Sequence, residues 1–137
     1  MLLILHLIVV IGTVLIVLYS DEQAFMWFRG KKDRLDAAIV NRLHVVVAGG
    51  LGIIIVTGGF LYARSPVAFL TSPVFLVKMA AVSALILNTY AIGRLSHLAT
   101  SGPYAALNSK ERILVFVSGG VSVAGWVIAG ICGYILS

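Results

Sequence analysis

The ionisable residues that interrupt or border apolar runs are His6, His44, His97, Lys78, Arg42, Arg94, Asp21 and Glu22. Neutral imidazole offers a nitrogen lone pair to a metal or a proton, and lysine offers a compact positive charge. A charged side chain at the centre of an apolar helix costs about 2.5–3.5 kcal/mol on insertion scales. Groups nearer a boundary cost less and can extend toward it. His6 and Lys78 each stand about one turn inside the start of a run, while His44, Arg42, Arg94, His97, Asp21 and Glu22 gather at the opposite level. Between the two levels lies an apolar waist broken only by small polar groups such as Thr13, Ser83 and Asn88. No zinc-ligand spacing, phosphate loop or nucleophile triad occurs. Cys132 is the single cysteine, in an apolar run, and reads as a small packing residue.

The elements that carry these residues are too apolar for water. Of 137 residues, 61% are hydrophobic and 11% charged, against about a quarter charged in soluble domains. Whole helical lengths lack a polar stripe, so lipid is their solvent. A crossing helix needs roughly 20 apolar residues, and four such spans are expected, at about 2–28, 35–63, 73–97 and 110–136. Pro73 suits the first position of the third span. Asn108 followed by Glu111 suits a capping pair for the fourth. The first span has no basic leader or cleavage site and reads as a retained helix. The expected fold is all-α, an integral membrane four-helix bundle forming one domain.

Basic residues set its orientation. Arg29, Lys31, Lys32, Arg34 and Arg42 belong to the first connection, and Arg94, Lys110 and Arg112 to the third. The second connection has only Arg64. That asymmetry places the first and third connections in the cytoplasm and both termini outside. The net charge of +5 thus reports topology and attraction to anionic lipid, and nucleic acid is not an expected partner. Arg42 and Arg94 read as headgroup anchors, with Asp21 and Glu22 neutralising such arginines or meeting water. A weak internal repeat aligns Arg42–Gly50 with Arg112–Gly120, which would make the first two and last two spans related hairpins.

Helices in lipid associate through close packing, so small residues mark contact faces. Ser118, Ser122, Gly125, Ala129 and Gly133 make such a stripe on the fourth span. Asn41, His44, Ala48, Gly52 and Gly59 do so on the second. His6, Thr13, Val17, Ser20 and Ala24 do so on the first. His6 and His44 therefore point into the bundle.

An early histidine in the first span (Leu3-Ile-Leu-His-Leu-Ile) and an early lysine in the third (Ser72-Pro-Val-Phe-Leu-Val-Lys-Met) accompany this layout. Together they resemble the HemJ-type protoporphyrinogen oxidases and, more loosely, CopD-like membrane domains. The resemblance implies a bacterial inner-membrane protein binding haem b, with His6 as the iron ligand and Lys78 needed for activity. Chemically, imidazole suits haem iron and a lysine can pair with a propionate. An alternative bis-histidine site would use His44 and His97. The rival expectation is a non-catalytic structural or accessory subunit, as a homo-oligomer or within a larger membrane complex. A small transporter ranks third, because the apolar waist offers no continuous polar path.

Overall fold

A computed structural model describes all residues 1–137. It is all-helical: α1 (Leu2–Phe28), α2 (Ala37–Ala63), the short α3 (Pro66–Leu70), α4 (Pro73–Ser101), a 3-10 turn (Tyr104–Ala106) and α5 (Ser109–Leu136). The four long helices are each long and apolar enough to cross a membrane. At 1.5 Å per residue, 27 residues extend roughly 40 Å, which exceeds a hydrocarbon core of about 30 Å. Each is thus long enough to extend past such a core at its ends.

Local chemistry explains the ends. Gly30, with φ 75°, is the one residue in the left-handed region. It terminates α1 in a Schellman motif, with Gly30 N donating to Trp27 O and Lys31 N to Met26 O. The Asp36 carboxylate caps α2 by accepting from Ala38 N and Ile39 N, so that helix starts at Ala37 rather than 35. Pro73 opens α4 behind Ser72, whose hydroxyl accepts from Phe75 N. Asn108 and Glu111 exchange both bonds of a capping box at the start of α5. The third span is longer than expected: α4 continues past residue 97 to Ser101.

The chain forms two antiparallel hairpins, α1–α2 and α4–α5, which meet mainly through α2 against α4. Helices α1 and α5 touch little and leave a seam. Close approaches are made by glycine. A Cβ on Gly50 would overlap the Thr13 hydroxyl, and one on Gly125 would come within 2.7 Å of Leu85 Cδ2. Only 15 of 137 residues are buried, so most of the helical surface is left to lipid or to other helices.

Aromatic clusters mark both ends. Trp27 and Phe28 meet Tyr104 at 5.4 and 4.4 Å between centroids. At the opposite end Phe75 stacks on Tyr62 at 5.5 Å and meets Phe69 at 5.2 Å. Such rings favour the headgroup boundary. The Trp27 indole donates to Gly102 O, and Leu35 N donates to Ala99 O, tying the first connection to the end of α4.

The α2 face expected from its small residues is corrected. Leu51, Ile54 and Thr57 are its buried residues, whereas Asn41, Gly52 and Gly59 are exposed. His44 and Ala48 lie at the edge of the buried face, half-buried. The physical reason is that α2 packs through branched and hydroxyl side chains, with Gly50 as its close-approach residue. Ala24 on α1 is also exposed, while His6, Thr13 and Val17 are buried. The aligned Gly50 and Gly120 of the repeat differ: Gly50 meets Thr13, and nothing lies within 4 Å of a Cβ on Gly120.

Candidate functional site

The termini end holds His6, 5% exposed, with Nδ1 at 2.7 Å from Thr57 Oγ1. The Thr57 hydroxyl directs its one proton back to its own helix, at 2.8 Å from Ile53 O. Its oxygen is then an acceptor, which assigns the imidazole proton to Nδ1 and leaves the lone pair on Nε2. The pairing follows from the hairpin register, since His6 faces Thr57 as Thr13 faces Gly50. The His6 Cε1 lies 3.5 Å from where a Cβ on Gly58 would stand.

Lys78 is half-buried at the same level on α4 and turns toward α5. Its Nζ is 3.4 Å from a Cβ placed on Gly133, and its charge is within electrostatic reach of both His6 and Cys132. His6, Thr57, Lys78 and Cys132 thus form one polar level contributed by all four long helices.

Midway along the second hairpin, Asn88 and Ser118 are both buried and satisfy each other. Asn88 Nδ2 donates to Ser118 O at 2.9 Å, and Ser118 Oγ donates to Asn88 Oδ1 at 2.8 Å. Of the expected packing stripe, Ser118, Ser122 and Gly125 are buried and Ala129 is half-buried. Ser83 is exposed.

The structure does not gather His44 and His97 into a pair of inward ligands. His44 Nε2 lies 3.3 Å from where a Cβ on Gly93 would stand. His97 is exposed and donates from Nδ1 to Arg94 O of its own helix at 2.5 Å. Arg94 lies over the Tyr90 ring at 5.1 Å and Arg42 is exposed, so neither arginine meets Asp21.

Asp21 instead lines two spaces at the basic end. One is a cavity of about 180 Å³ among the four long helices, bordered by Ser20, Asp21, Trp27, Leu43, Leu95 and Ser122 among others. The other is a groove of about 560 Å³ along the α1–α5 seam. Sequence reasoning missed this site and missed Thr57. The available signal was the helical spacing of Ser20, Asp21 and Ala24, but nothing local shows that α1 and α5 stand apart.

For haem, the donor chemistry at His6 suits an axial ligand. The space does not suit the ring in this packing: His6 is closed against Thr57 and Gly58, and neither principal cavity is lined by His6 or Lys78. No group of three or more His, Cys, Asp or Glu side chains is arranged to hold a metal ion. Set beside known protein families, curated proteins and solved structures, the chain matches no family model, no curated protein and no solved structure.

Proposed function

We propose that the chain is a non-catalytic subunit of a membrane assembly, with its basic connections in the cytoplasm and both termini outside. A bacterial inner membrane is the proposed setting. The observation that carries the reading is the outward face of α2. Val45, Gly49, Gly52, Val56 and Gly59 are all exposed there, and nothing lies within 4 Å of a Cβ on any of the three glycines. Glycine in a lipid-facing stripe forfeits contact with acyl chains, whereas against another helix it permits close backbone approach. The bundle itself makes no use of these residues. Replacing Gly52 with Leu tests the reading: association in native membranes is lost while the bundle stays folded.

A second reading keeps the haem-b redox function, because the Thr57 bond leaves His6 Nε2 with its lone pair free; it requires the helices to part around His6, which is closed against Thr57 and Gly58 in this packing. When bound, haem b would supply one-electron chemistry, with Lys78 as a charge partner for a propionate. Its test is the absorption spectrum of the purified protein supplied with haemin. A Soret band lost in His6→Ala and kept in His44→Ala supports it. A colourless preparation leaves the assembly reading alone.

A further inference from the structure

The cavity at the basic end has a built polar wall. Ser122 is 5% exposed and lines it. Its hydroxyl has no hydrogen-bond partner, yet no fully occluded polar side-chain atom lacks one, so this oxygen opens onto the cavity. The lining also carries Asp36 and Lys32, each of which holds a hydrogen bond and keeps its charge. Asp36 caps α2, and Lys32 Nζ donates to Gln23 Oε1 at 2.5 Å. Asp21 is the lining carboxylate without a hydrogen-bond partner, with Ser20 beside it. Val40, Leu43, Ile92, Leu95 and Val115 make much of the remaining wall apolar.

The groove along the α1–α5 seam shares Asp21, Ala24, Val115 and Gly119 with the cavity. Its only charged residues are Asp21 and Glu22; the rest are apolar or glycine. An acidic rim on an apolar, lipid-facing groove complements a cationic head on an apolar body.

We propose that this cavity binds an amphipathic amine, which arrives from the bilayer through the α1–α5 seam. The ammonium donates to the Asp21 carboxylate and the Ser122 hydroxyl, and the bond to the carboxylate is charge-assisted. The apolar tail lies in the groove between Leu18, Phe25 and Val123. The proposal rests on the four-span reading and not on assembly through α2.

Trp27 lines the cavity and serves as the reporter in a Trp126→Phe chain held in zwitterionic nanodiscs. The probe is a brominated dodecylamine, with a brominated dodecanol as its neutral counterpart. Saturable quenching of Trp27 by the amine is expected, with only weak, unsaturable quenching by the alcohol. Asp21→Asn should weaken the amine about ten-fold and Ser122→Ala about three-fold, while Asp33→Asn, an exposed carboxylate that lines neither space, should change it little. Gly119→Leu, which fills the shared wall from an exposed position, should slow quenching without altering the unquenched Trp27 emission. The proposal is overturned if amine and alcohol quench alike. It is equally overturned if Asp21→Asn, with unaltered unquenched emission, and Gly119→Leu both behave as the parent.

Discussion

Thr57 illustrates how much one hydroxyl fixes in a water-poor interior. By returning its proton to Ile53 O it becomes an acceptor for His6, and so determines which imidazole nitrogen stays free. Thr57→Val leaves the His6 Nδ1–H without a partner, and an unpaired buried donor costs about 1–3 kcal/mol. Thermal unfolding in detergent should therefore show Thr57→Val less stable, with Thr57→Ser close to the parent. Asn88 and Ser118 form a reciprocal pair, for which a double-mutant cycle should give a coupling near 0.6 kcal/mol, as is average for helix–helix bonds in lipid. A coupling of zero would show that the pair adds nothing to packing. The polarity of His6, Asn88 and Ser118 was visible in the sequence; their partners depend on hairpin register, which composition does not encode.

Among the elements, helix ends were the most legible part, because caps are local. Pro73 and the Asn108–Glu111 pair act within a few residues of themselves, whereas the Asp36 cap, which starts α2 at Ala37, was not read. In the fourth-span stripe Ser118, Ser122 and Gly125 are buried and Ala129 is half-buried. The α2 stripe was misread because glycine marks close approach without saying to what. Gly50 approaches Thr13 inside the bundle, whereas Gly52 and Gly59 face away from it. Three expectations belong to this scale. Gly125→Leu must displace Leu85, which lies within 2.7 Å of the new Cβ, and overpacking of this kind costs about 1–3 kcal/mol. Ile128→Leu, on an exposed position, should be silent in the same detergent unfolding assay. Gly30→Ala strains the left-handed turn that ends α1, at about 1 kcal/mol, and should lower the unfolding midpoint without altering helix content.

At the scale of the whole molecule, the hairpins meet through α2 and α4 and leave α1 and α5 apart. The basic residues lie mainly at the end where those hairpins turn. Single cysteines at Ser109 and Ser65 in a Cys132→Ser chain should label from opposite sides of the membrane, Ser109 only from the cytoplasm; same-side labelling removes the four-span topology. The number of long apolar helices was readable because a crossing helix must be long and apolar, although α4 runs past its expected end to Ser101. Their arrangement was not, since apolar faces look alike to lipid and to protein. The central claim, assembly through the glycine face of α2, is tested most directly by the mass of particles extracted from native membranes with their lipid. The parent should appear as a species larger than one chain, and Gly49→Leu combined with Gly52→Leu should reduce it to one chain. Leu87→Phe, on a highly exposed α4 position, should leave the assembly intact. A parent that is already a single chain, or a double variant that assembles as the parent does, would contradict the claim.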